Sequence, residues 1–210
     1  PISMFSIASS SVQPGLATAW EWSAGDTLLT LKLRPGVRFV DGAALEAQDV
    51  VWSLTRATME GPWRSLLESV EKVEGSGDQV TIKLKQPDAT LLAALATFNT
   101  GILPRKLVEA APGATGEDKI KAFAEKPVGT GPFMFVEWRR GQYMVLRRNP
   151  NYWKNGEDGK PLPYLDELRF EIVPDDATRL LKLRAGEIDG TEFVPYARVA
   201  ELQADPQLRM

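Results

Sequence analysis

The sequence predicts a mixed α/β fold, and three observations carry that reading. Leu29, Leu31 and Leu33 alternate with Thr30, Lys32 and Arg34, the period of a half-buried strand. Val80, Ile82 and Leu84 alternate in the same way with Thr81, Lys83 and Lys85. Between these two runs, Val50, Val51, Leu54 and Ala57 recur at helical spacing.

The elements follow in order. Residues 27–34 form a strand, Pro35-Gly36 a turn, Val37 and Phe39 a short resumption, and Asp41-Gly42 a second turn. A helix runs from Ala47 to about Met59 and stops at Gly61-Pro62. After the Gly75-Ser76-Gly77-Asp78 turn comes the strand around Val80–Leu84, and Asp88 caps a helix through Leu91, Leu92, Leu95 and Phe98. Short helices at 104–110 and 117–125 flank the Pro112-Gly113-Ala114-Thr115-Gly116 loop, which with Pro127-Val128-Gly129 marks a domain boundary. Strands follow near 132–138, 143–148 and 168–172. Asp175 or Asp176 caps a helix to Arg184, and Gly186 stands where a left-handed C-terminal residue is wanted. Glu187-Ile188-Asp189 reads as a short strand, and a last helix starts near Pro195.

Composition narrows the function. The 210 residues are 43% hydrophobic and 25% charged, as in an ordinary domain with a real core. A net charge of −3, with lysines and arginines scattered singly, argues against nucleic acid as a partner. No apolar run approaches the ~20 residues that span a bilayer, so direct membrane insertion is not expected. Cysteine is absent, which removes disulfides and thiolate chemistry, and so is histidine, the commonest general base and metal ligand. Zinc hydrolysis and a Ser-His-Asp triad are thereby excluded. Pro1-Ile2-Ser3-Met4-Phe5 has neither the basic nor the apolar region of a signal peptide.

Three blocks carry a family resemblance. Leu16-Ala17-Thr18-Ala19-Trp20 precedes Leu31-Lys32-Leu33-Arg34-Pro35-Gly36-Val37-Arg38-Phe39 and Asp41-Gly42. Gly129-Thr130-Gly131-Pro132-Phe133 leads to Arg148-Asn149-Pro150-Asn151-Tyr152-Trp153, and Leu183-Arg184-Ala185-Gly186-Glu187-Ile188-Asp189 comes last. The ordered set resembles bacterial extracellular solute-binding protein family 5, the dipeptide, oligopeptide and nickel receptors of ABC importers. Members of that family are well over twice this length, so the chain is expected to be an internal piece whose start was cut away. The resemblance implies a periplasmic-binding-protein type II fold, with residues 1–115 as the accessory second lobe and 116–210 as part of the first α/β lobe. It implies capture of a peptide or similar small solute, delivery to an ABC permease, no enzymatic activity and no cofactor. The location implied is periplasmic or extracytoplasmic, with or without a lipid anchor on the full-length protein.

Each motif has a simpler reading beside the functional one. Gly129-Thr130-Gly131-Pro132 lacks the Lys-Ser/Thr of a phosphate loop, and Pro132 removes a backbone donor, so it reads as a tight entry into a strand. Tyr152 and Trp153 read as scaffold packed on the sheet rather than as a surface patch. Asp41, Asp49, Asp175, Asp176, Glu187 and Asp189 invite an acid/base pair, yet nearly all have turn, cap or strand-end roles. Glu46, where the family has a small hydroxyl residue, is a poor N-cap.

Three residues form the candidate ligand site. Trp63 follows Gly61-Pro62 in a loop where a large aromatic has less reason to be core, and the matching family position reaches toward the ligand. It could equally be a packed loop anchor. Glu192 and Phe193 resemble the stretch that enters the cleft from the first lobe, with Glu192 suited to a ligand ammonium or else simply exposed. No catalytic and no metal-binding residue is expected. Alternatives are a receptor for oligosaccharide, opine or metal chelate on the same scaffold, a carboxylate-dependent hydrolase, and a sensor domain. An incomplete sheet is expected to expose apolar edges and to bind native ligand negligibly by itself.

Overall fold

The computed structural model describes residues 3–6, 11–60 and 64–209. The chain divides into two units, one made of residues up to Val136 with Leu146–Glu167, the other of Glu137–Val145 with Leu168 onward. In chain order the first elements are β1 (Ser3–Ser6), β2 (Ser11–Pro14), β3 (Ala17–Ser23), β4 (Leu28–Leu33) and α1 (Ala47–Met59). Then come β5 (Val70–Ser76), β6 (Gln79–Leu84), α2 (Leu91–Leu95), α3 (Arg105–Ala110) and α4 (Gly116–Ala124). The rest are β7 (Phe133–Arg139), β8 (Tyr143–Arg148), β9 (Glu167–Glu171), α5 (Asp176–Arg184) and α6 (Val199–Gln203). The mixed α/β fold expected from the alternating and helical patterns is what the structure shows.

The first unit is built on a four-stranded antiparallel sheet in the order β3-β4-β6-β5. Its register lines up apolar rows across one face: Trp22, Leu29, Ile82 and Val73 in one, Trp20, Leu31, Val80 and Gly75 in the next. Because side chains alternate along each strand, the intervening Thr30, Lys32, Thr81 and Lys83 belong to the opposite, polar face. Helix α1 presents Ala47, Val50, Leu54 and Ala57 to the same core. Gly75 lets it come close, since a Cβ there would lie 2.8 Å from the Val51 side chain.

The helix termini explain themselves chemically. Glu46 is the N-cap residue of α1, as a poor capper requires help: the Asp49 carboxylate accepts from the Glu46 N–H at 3.0 Å. Asp49 is buried, and its other oxygen accepts from the Arg105 N–H at 2.9 Å, tying α1 to α3. The last residue of α1 is Met59; the Gly61-Pro62 stop and Trp63 lie outside the described residues. Helix α2 is shorter than its apolar spacing predicts. The Thr97 and Thr100 hydroxyls donate to the Ala94 and Leu95 carbonyls at 2.8 and 3.0 Å, closing the helix before Phe98. Phe98 is left 81% exposed instead of joining the core.

The strand-entry reading of Gly129-Thr130-Gly131-Pro132 holds, and Asn149 is what fixes it. Asn149 is buried; its side-chain amide donates to the Gly131 carbonyl at 2.8 Å and its backbone N–H to the Pro132 carbonyl at 2.9 Å. The Gly129 carbonyl accepts from the Val40 N–H. Trp153 packs against the core as expected, with the Arg34 guanidinium 4.3 Å from its ring centroid. Burial pushes the Tyr152 hydroxyl above its usual pKa.

Strands β7, β8 and β9 form a three-stranded sheet in that order. The Arg148 N–H donates to Asp166 and the Ile172 N–H to Gln142, which makes β8 and β9 antiparallel. Glu187-Ile188-Asp189 is not a strand. The chain leaves α5 through a Schellman turn, with Gly186 at φ +69° and N–H groups of Gly186 and Glu187 on the Leu183 and Lys182 carbonyls. That turn commits the Glu187 N–H, the first donor of the expected strand, to the helix end.

Candidate functional site

The site begins with helix α5, because its two ends fix the segment that follows. Asp175 caps its start, accepting from the Thr178 hydroxyl at 2.5 Å and from the Thr178 N–H at 2.8 Å, and these bonds, the hydroxyl's first, hold the Asp175 carboxyl below the ordinary carboxylate range. After the Schellman turn the chain bends back, and Thr191-Glu192-Phe193 lies beside the first turn of α5. The Arg179 side chain makes that contact. Its guanidinium donates to the Val173 carbonyl at 2.8 Å and the Phe193 carbonyl at 3.1 Å, and it pairs with Asp176.

Glu192 and Phe193 are therefore neighbours on one held segment, both exposed. Phe193 has φ +57°, a left-handed backbone, and its side chain is 85% exposed. Tyr196, in the 3-10 turn Tyr196–Arg198, is 94% exposed. Such a surface can cover an apolar group and offer one carboxylate to a cation. Trp63 lies outside the described residues. Thr58, Met59, Arg64, Leu67, Glu68, Val70 and Lys85 line an open depression of about 380 Å³.

Five of the six acidic residues that invited a catalytic reading, all but Asp189, have structural partners among the described residues. Asp41 accepts from the Ala43 N–H, Asp49 from two backbone donors, Asp175 caps α5, and Asp176 and Glu187 pair with Arg179 and Lys182. Among the described residues no group of three or more acidic side chains is placed to hold a metal ion. Sequence reasoning missed Arg179 and Tyr196. The i,i+3 pair of Arg179 with Asp176 is local, but the Phe193 carbonyl that gives it a place in the site is fourteen residues away and leaves no local signal; Tyr196 stood in plain view after Pro195, at a predicted helix start.

Residues 11–210 match the model of the bacterial extracellular solute-binding proteins, family 5 Middle. The oligopeptide-binding protein AppA of Bacillus subtilis is 34% identical over 85% of this chain and 32% of its own length. Di/tripeptide-binding protein 2 of Pseudomonas aeruginosa is 31% identical over 99% of this chain and 41% of its own. A solved structure of AgaA from A. tumefacien R10, in complex with agropinic acid, superposes with a TM-score of 0.84 at 27% identity, covering 98% of this chain and 40% of that one. The chain thus spans 32% and 41% of the length of the two relatives named. It belongs to the family 5 extracellular solute-binding proteins, and its fold is of the periplasmic-binding-protein type II class.

Proposed function

We propose that this member of the family 5 solute-binding proteins is part of an extracytoplasmic receptor that captures a peptide and delivers it to an ABC permease. The observation that carries the reading is the family match across residues 11–210, together with peptide-binding relatives that align along most of the chain. No bond is broken. Binding energy draws two lobes together about the ligand, and the closed form is what the permease recognises. Residues 1–115 are the accessory lobe and 116–210 belong to the α/β lobe. Trp63 covers an apolar side chain of the ligand, Glu192 meets its ammonium group, and Phe193 packs on its backbone or a neighbouring side chain.

A second reading has its own support: the AgaA structure holds agropinic acid on the same fold. One scaffold serves several ligand classes, because specificity sits in a few side chains. Native mass spectrometry of the full-length protein, expressed with its own export signal, separates the readings. A ladder of adducts with short-peptide masses supports the peptide receptor. A single non-peptide adduct would move the assignment to a narrow receptor. Turnover of a peptide or glycoside by the pure protein would end the receptor reading altogether.

The chain of 210 residues by itself is expected to bind peptide negligibly, since a ligand site must bury most of its ligand's surface. Sub-millimolar affinity of this chain for any short peptide, measured by calorimetry, would contradict that expectation.

A further inference from the structure

We infer that Arg179 is a positioning residue, which holds the Thr191–Phe193 segment in the conformation that presents the Phe193 ring; this rests on the reading of Phe193 as a ligand contact. Three groups meet on one guanidinium: the Val173 carbonyl just beyond β9, the Asp176 carboxylate in the first turn of α5, and the Phe193 carbonyl. The side chain is only 17% exposed. Its Nε is buried without a hydrogen-bond partner among the described residues, so the conformation sacrifices one donor to make the other contacts.

What Arg179 holds is unfavourable on two counts. Phe193 adopts φ +57°, a region that glycine enters freely and a bulky side chain does not. Its ring is at the same time 85% exposed, so no burial offsets the backbone conformation. A charged donor on the Phe193 carbonyl supplies what packing does not, because hydrogen bonds to ionised groups are the stronger ones. The Thr191 hydroxyl adds a local bond, donating to the Glu192 carbonyl at 2.8 Å. Arg179 is suited where lysine is not: its planar fork reaches carbonyls at two separate points, whereas a lysine ammonium acts as a single compact charge.

Two measurements test this, and they fail separately. In the isotopically labelled chain, backbone order parameters at residues 191–193 are expected near the rigid value of about 0.85, falling below about 0.6 in Arg179→Met while α5 is unchanged. Low values already in the native chain, or no fall in the variant, would overturn the clamp. In the full-length protein, ligand adducts retained on native mass spectrometry are expected to drop about tenfold in Arg179→Met and in Phe193→Ala. The double variant should fall no further than Phe193→Ala, since both act through one ring. An additive loss would mean that Arg179 acts elsewhere and would overturn the inference. Unchanged adducts in Phe193→Ala would instead remove the ligand role of Phe193, with the clamp surviving only as a structural feature.

Discussion

The two units use similar residues to opposite effect. Around the four-stranded sheet, Leu29, Leu31, Val50, Leu54, Val80, Ile82, Leu91 and Leu95 are all buried in one cluster. In the unit that carries β9 and α5, the buried hydrophobics among the described residues are Val145, Leu180 and Leu202. Trp138, Phe170, Ile172 and Leu181 stay exposed there, as do Phe193 and Tyr196. The first unit closes its sheet with a helix, so its alternating strands find a partner for their apolar face. The second offers apolar side chains that its own residues do not cover. Alternation in a sequence shows which face wants burial; it does not show whether the same chain supplies the cover.

Truncating one side chain in each unit gives the largest contrast. Leu31→Ala should destabilise the first unit by about 2–5 kcal/mol, because the site is fully enclosed and a cavity remains. Phe170→Ala should cost less than about 0.5 kcal/mol, the usual range for a surface position. Urea unfolding followed by far-ultraviolet circular dichroism measures both. A large loss in Phe170→Ala would mean that its ring is covered, and the contrast between the units would collapse.

Asp49 comes next, since it tests whether buried polar groups or packing hold α1 in place. Asp49→Ala strands the Glu46 and Arg105 N–H groups and should cost about 1–3 kcal/mol. Asp49→Asn keeps one acceptor and should recover part of that loss. If Asp49→Ala unfolds at the same urea concentration as the native chain, water replaces the carboxylate and α1 depends on packing alone.

The exposed face of the second unit should make the chain associate. Sedimentation velocity is expected to show self-association that rises with concentration, and replacing Phe170 and Leu181 with lysine should reduce it. A strictly monomeric native chain across the same concentrations would show that these side chains are too dispersed to act as a patch.

Much of this was legible, and the failures have physical causes. Helix α5 could be bounded because Asp175 and Gly186 are local cap residues whose effect needs no tertiary partner. Strand β5 escaped notice because Val70 and Val73 fall three apart, across a register shift between Val70 and Lys72 that breaks the period of two. The expected strand at Glu187–Asp189 begins inside the Schellman turn, which commits the Glu187 N–H to the Lys182 carbonyl. For the site, the adjacency of Glu192 and Phe193 was trivial to read, and their exposure was not. An aromatic ring is ordinarily a core residue, and only the Arg179 contact from another element explains this one's position.

The smallest expected effect is electrostatic, and it separates a half-buried carboxylate from an exposed one. In the first unit Asp88 accepts from the Ser69 hydroxyl at 2.6 Å and from the Thr90 hydroxyl and N–H, bonds that hold its carboxyl below the usual aspartate range. Its folded pKa is depressed, so its contribution is complete above the unfolded value of about 3.9 and is lost as pH falls through the folded value. Asp88→Asn should therefore flatten the acid limb of a stability profile below about pH 4 and change little at pH 7 beyond the bond itself. In the second unit Glu171 is also held below its usual range, chiefly by its hydrogen bond to Lys182 and then by Arg169, with the same sign. Glu171 is open to solvent, so added salt should erase its contribution, whereas the Ser69–Asp88 bond should persist. Equal salt sensitivity of the two acid limbs, compared in Asp88→Asn and Glu171→Gln, would mean that the hydrogen bonds of Asp88 are no better shielded than an exposed ion pair.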